Sequence, residues 1–93
     1  MQNLSGKTAI ITGASRGIGA AAARVFAQAG ANVMLLARSG DAIQTLADEI
    51  GPKAVPYECD ISCYAAVSAA VAACEARFGA VDILINNAGV IAP

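Results

Sequence analysis

Apolar runs and helical stripes alternate along the whole 93-residue chain, and this alternation restricts the fold more than any single motif does. Thr8-Ala9-Ile10-Ile11 is a short apolar run. After it, Ile18, Ala22, Val25, Phe26 and Ala29 recur at helical spacing, the stripe of a helix packed on a sheet, and Gly30 supplies the stop. Val33-Met34-Leu35-Leu36-Ala37 is continuously apolar instead of alternating, as a strand covered on both faces is. Asp41, with Gln44 three residues on, reads as the N-cap of a capping box. The helix it opens carries Ile43, Leu46, Ala47 and Ile50 and ends at Gly51-Pro52. Ala54 to Cys59 is a poorer strand, because Pro56 cannot donate to a ladder and belongs at a sheet edge. Ser62 suits the cap of a third helix striped by Val67, Val71, Cys74 and Phe78 and stopped by Gly79, and Val81 to Ile85 is a fourth strand.

A β-α-β-α-β-α-β order argues for an α/β fold with parallel strands joined by right-handed helical crossovers. The usual doubly wound arrangement places the strands 3-2-1-4, with the proline-bearing third at one edge. The fourth, apolar throughout, then lies uncovered at the other edge. The chain therefore reads as the N-terminal portion of something larger, and in isolation it should be marginally stable and prone to associate through that strand.

The first strand enters its helix through Thr12-Gly13-Ala14-Ser15-Arg16-Gly17-Ile18-Gly19. Glycines at such a turn adopt backbone angles other residues avoid and let a ligand approach the main chain, while the helix start presents free N–H groups and a positive dipole end that suit a phosphate. The short pattern Gly-x-Gly-x-x-Gly/Ala is met at Gly17-Ile18-Gly19-Ala20-Ala21-Ala22, several residues later than it should follow a strand. A longer spacing, Thr-Gly-x-x-x-Gly-x-Gly, fits better. A connector that binds nothing would need the same glycines, so the turn alone does not decide the matter.

Composition removes several classes of function. A net charge of −1 with scattered cations gives no pull towards nucleic acid. Only 14% of residues are charged, so part of the surface expects covering by protein. The first seven residues lack the apolar core of a secretion signal, and the uncharged stretch from Ile61 to Cys74 is too short for a membrane span, which makes a soluble cytoplasmic protein the expectation. Cys59, Cys63 and Cys74 are accompanied by no histidine, so no four-ligand zinc site is expected, and all three read as small buried hydrophobes.

Asp60-Ile61 closes the third strand and Asn86-Asn87-Ala88-Gly89 the fourth. Together with Thr-Gly-x-x-x-Gly-x-Gly, these motifs resemble the short-chain dehydrogenase/reductase family, in its order and across the whole chain. The resemblance implies a Rossmann-type NAD(P)-binding domain over 1–93, ending before the catalytic segment. It implies that Gly13, Ser15, Arg16, Gly17, Ile18 and Gly19 wrap a pyrophosphate. It further implies that Asp60, beside Ile61, accepts from an adenine amino group, and that Asn86, Asn87, Ala88 and Gly89 lie along the ribose and steady the sheet. Each role keeps a local rival: Asp60 also suits the N-terminus of the next helix, and either asparagine could merely bond nearby backbone.

The family's chemistry uses a Tyr-x-x-x-Lys pair beyond Asn-Asn-Ala-Gly. Neither Tyr57 nor Tyr64 stands four residues before a lysine, and the last lysine is Lys53, so no catalytic residue is assigned. The resemblance implies a parent oxidoreductase, a homo-oligomer, that moves a hydride between nicotinamide and a carbonyl or alcohol; its Ala-Ser-Arg turn is similar to 3-oxoacyl-carrier-protein reductases. The alternative is a nucleotide-binding module without chemistry. NADP is expected over NAD: the carboxylate that an NAD site places at the end of the second strand is replaced by Ala37, and Arg38 follows, which with Arg16 suits a 2′-phosphate.

Overall fold

The computed structural model describes residues 3–87. Four strands and three helices alternate: β1 (Thr8–Thr12), α1 (Gly17–Gln28), β2 (Asn32–Ala37), α2 (Gly40–Ile50), β3 (Ala54–Glu58), α3 (Tyr64–Phe78) and β4 (Ile83–Ile85). They form one parallel sheet in the order β3-β2-β1-β4, so the doubly wound arrangement and the edge position of Pro56 both hold.

The two faces of the sheet bury different partners, which explains why β2 is apolar without interruption. Val33, Leu35 and Ala37 face one core with Ile43, Leu46 and Ala47 of α2 and Ala20 and Ala23 of α1. Met34 and Leu36 face the other, with Ile10, Cys59, Ala70 and Cys74 of α3. A strand residue pointing to either side thus loses its contact with water, and every one of Val33 to Ala37 is buried.

Four local expectations are corrected. Of the expected stripe on α1, Ala22 and Phe26 pack against the core and Ala29 is buried, but Ile18 and Val25 are exposed, at 76% and 41%, and the most buried residues of the helix are Gly19, Ala20 and Ala23. Close packing of α1 on the sheet selects small residues, and alanine at nearly every phase hides that face from a reading based on bulky side chains. The N-cap of α2 is Ser39, not Asp41, which sits in the first turn, and Gln44 bonds forward to Asp48 Oδ1 at 2.9 Å. The N-cap of α3 is Cys63, not Ser62, whose hydroxyl is engaged by Asp60. Cys63 is exposed, so only Cys59 and Cys74 behave as buried apolar groups, and burial pushes both of those thiols up in pKa.

The last strand is shorter than its apolar run. Three residues pair with β1, Ala9 to Ile11 opposite Ile83 to Ile85, and Leu84 is 64% exposed. Ahead of it Asp82 closes a reciprocal clamp, its N–H donating to Thr8 O at 2.9 Å while its Oδ2 accepts from Thr8 N–H at 2.9 Å. Among the described residues no helix is long and apolar enough to cross a membrane.

Candidate functional site

All four strands end on the same side of the sheet, so the segments that follow them converge. They line a cleft of about 840 Å³ formed by the turn after β1, Ala37 to Ser39 after β2, Cys59 to Ser62 after β3, and Asn87 after β4. A cleft outside the carboxyl ends of parallel strands, where the strand order reverses direction, is where such sheets hold ligands.

The turn after β1 is built by three glycines with two different duties. Gly13 and Gly17 have φ of 63° and 64°, in the left-handed region that a side chain resists. Gly19 is needed for space: a Cβ there would run into Gly13 O and come within 2.9 Å of Asn87 Nδ2. The start of α1 is thereby pressed against both the turn and the segment after β4. Ala14, fully buried, fixes the turn from below by donating its N–H to Leu36 O at 3.2 Å.

The N-terminus of α1 differs from that of α2 in its charge. Arg16, the N-cap, is extended and makes no side-chain capping bond, and the first turn of α1 has no acidic residue, whereas that of α2 contains Asp41. Free N–H groups with no carboxylate beside them fit an incoming anion. Arg16, Ser15, Gly17 and the exposed Ile18 line the cleft here, and Arg38 lines it from the end of β2.

On the far side, Asp60 Oδ1 accepts from Ser62 N–H at 3.0 Å and from Ser62 Oγ at 2.7 Å. These bonds, with the positive Arg38 as a weaker influence, hold the exposed Asp60 carboxyl below its usual pKa. Both bonds fall on the same oxygen. Asp60 and its half-buried neighbour Ile61 line the cleft, and Cys59 N–H donates to Ala37 O at 2.9 Å, tying this loop to the end of β2.

The two asparagines separate. Thr12 Oγ1 donates to Asn86 Oδ1 at 3.0 Å and accepts from Asn87 N–H at 2.8 Å, so one hydroxyl at the end of β1 sets the path of the chain after β4. Asn86 is used in this clamp, while Asn87 lines the cleft. Ala88 and Gly89 lie outside the described residues. Thr12 received no role of its own from the sequence, although a hydroxyl closing an apolar strand was the available signal; Ser39, which also lines the cleft, carried none, and Ser62 was read only as a helix cap. Among the described residues no cluster of histidine, cysteine or acidic side chains could hold a metal ion.

The fold and the cleft define an α/β nucleotide-binding protein. The family model for short chain dehydrogenases matches residues 7–93, and the chain belongs to that family. It is 52% identical over 93 residues to the oxidoreductase UcpA of Salmonella typhimurium, covering 97% of this chain and 35% of that protein. Its structure resembles the 3-ketoacyl-(acyl-carrier-protein) reductase of Brucella melitensis in complex with NADH, with TM-score 0.86 and 45% identity over 88% of this chain and 34% of that one. It also resembles a hydroxysteroid dehydrogenase from Escherichia coli, with TM-score 0.87 and 43% identity over 91% of this chain and 37% of that one. The chain spans about a third of the length of these relatives.

Proposed function

We propose that these residues are the opening part of the cofactor-binding domain of an NADP(H)-dependent oxidoreductase acting on a small carbonyl or alcohol substrate. The observation that carries the NADP reading is the pairing of Arg16 and Arg38 on one cleft with the absence of any acid from Asn32 to Arg38. A guanidinium is always charged and can bond two phosphate oxygens at once, whereas a ribose 2′-hydroxyl needs an acceptor that Ala37 cannot supply. NAD is the second reading, favoured by the NADH bound to the Brucella reductase.

The residues present fit a dinucleotide. Gly13, Gly17 and Gly19 leave the main chain open to a pyrophosphate, with Ser15 and the first N–H groups of α1 as donors. Asp60 Oδ2, which makes no hydrogen bond among the described residues, is the acceptor available to an adenine amino group, with Ile61 beside it. Asn87 meets the ribose, the role that the family resemblance also gives to Ala88 and Gly89. Asn86 contributes by holding Asn87 in place through Thr12. When bound, the nicotinamide supplies or takes the hydride; these 93 residues bind and orient, and with no Tyr-x-x-x-Lys they move no substrate proton. On their own they are a nucleotide-binding module without turnover, and the parent is a cytoplasmic homo-oligomer.

Titrating NADP and NAD against the full-length protein and its Arg38→Ala variant tests this. Losing charge-assisted bonds that contribute roughly 1.5–3 kcal/mol should weaken NADP about tenfold or more and leave NAD nearly unchanged. Equal losses for both, or tighter NAD binding by the unmodified protein, refute the NADP assignment.

A further inference from the structure

The carboxylate missing from the end of β2 has a neighbour one strand away. Glu58, the last residue of β3, is the register partner of Ala37, the last residue of β2. Register partners in a parallel sheet point to the same face, so Glu58 projects on the side where an acid at position 37 would stand.

Its direction is fixed by Gly40, the first residue of α2. A Cβ on Gly40 would lie 2.5 Å from Glu58 Oε1 and 3.2 Å from its Cδ, so the carboxylate leans over the start of α2 and uses the space the glycine leaves. Ser39, the N-cap, makes no side-chain capping bond there. A negative charge is favourable beside a helix N-terminus, which gives Glu58 a reason to stay. Among the described residues no cation pairs with it: the ion pair there joins Arg24 to Glu49, and Arg38 is not within bonding reach of Glu58. Among the described residues an unneutralised acid therefore stands beside Ala37, the residue before Arg38, and against Gly40, two residues after it.

We infer that Glu58 is a specificity-determining residue that opposes the 2′-phosphate of NADP and so restrains the preference set by Arg38 and Arg16. The inference rests on the NADP reading above. NAD has a neutral hydroxyl at that place and shares only the pyrophosphate charge with NADP, so it feels this carboxylate less. Glu58 bonds neither cofactor; it acts through its field, and its effect must shrink as salt screens the charge.

The test is the dissociation constants of NADP and NAD for the full-length protein and for Glu58→Gln, at low and high ionic strength. Removing a unit charge that acts through water on a nearby, nearly doubly charged phosphate should tighten NADP about fivefold, less at high salt, with NAD gaining less. Glu58→Lys, which reverses the sign, should tighten NADP further. Unchanged NADP affinity in both variants overturns the inference while leaving the NADP reading intact. An equal gain for NAD overturns it too, since it would report a general change in the cleft. Tighter NAD than NADP binding by the unmodified protein instead overturns the NADP reading itself.

Discussion

Replacing Asp82 by alanine should loosen β4 far more than its exposed position suggests. Its Oδ2 accepts the Thr8 N–H at 2.9 Å, and Thr8 is only 1% exposed. Asp82 itself is exposed and loses little by truncation, so the cost is set by the Thr8 N–H that is left without its charged acceptor. A buried donor left without a partner costs roughly 1–3 kcal/mol, and a bond to a charged acceptor contributes about 1.5–3 kcal/mol, so the two bounds meet near about 2 kcal/mol. The reverse bond, Asp82 N–H to Thr8 O, survives because it is backbone. Asp82→Asn keeps an acceptor without its charge and should lose about half as much. Urea unfolding of the full-length protein measures the loss, and hydrogen exchange at the Thr8 amide locates it. Surface substitutions with no such role stay within about 0.5 kcal/mol, so a loss that small in Asp82→Ala, or equal losses in both variants, would refute the reasoning.

Three further outcomes follow from the same geometry. Thr8 Oγ1 is buried without a hydrogen-bond partner among the described residues, so Thr8→Val, which keeps the shape and removes the hydroxyl, should raise the unfolding free energy by about 1 kcal/mol; a loss of stability would mean that the hydroxyl is satisfied. Gly19→Ala drives a Cβ into Gly13 O, where backbone must yield, and should weaken NADP and NAD alike by about tenfold or more; unaltered binding of either would show that the turn gives way freely. Asp60 has a folded pKa below its ordinary value of 3.8, so what its ionised form contributes is complete above that pH and is lost as pH falls through the depressed value. Ser62→Ala should return the Asp60 titration, followed by NMR, towards 3.8, and an unmoved titration would exclude Ser62 as the chief cause.

The topology was legible because the signals for it were redundant. Uninterrupted apolar residues in β2 required cover on both faces, and Pro56 required an edge. Helix faces were less so. In α2, Ile43 and Leu46 stood out against polar neighbours, whereas in α1 the sheet-facing residues are Gly19, Ala20 and Ala23, which carry no bulk to mark them. The caps at Asp41 and Ser62 were misplaced because the same side chains that cap helices also close short turns, and Ser62 does so with Asp60. At the cleft, the glycines, both arginines, Asp60 and Asn87 were visible as residue types at motif spacing. The Thr12 clamp on Asn86 and the reach of Glu58 over Gly40 depend on pairing between distant strands, which no local pattern encodes.

Under the proposed function a nicotinamide dinucleotide phosphate lies across the strand ends. Hydrogen–deuterium exchange of the full-length protein with and without NADP tests it most directly. The predicted result is protection at Gly13 to Gly19, at Arg38 to Gly40, at Cys59 to Ser62 and at Asn87. Protection confined to the other groove, of about 360 Å³ between Arg24, Glu49 and Lys53, or protection nowhere in the chain, would contradict it.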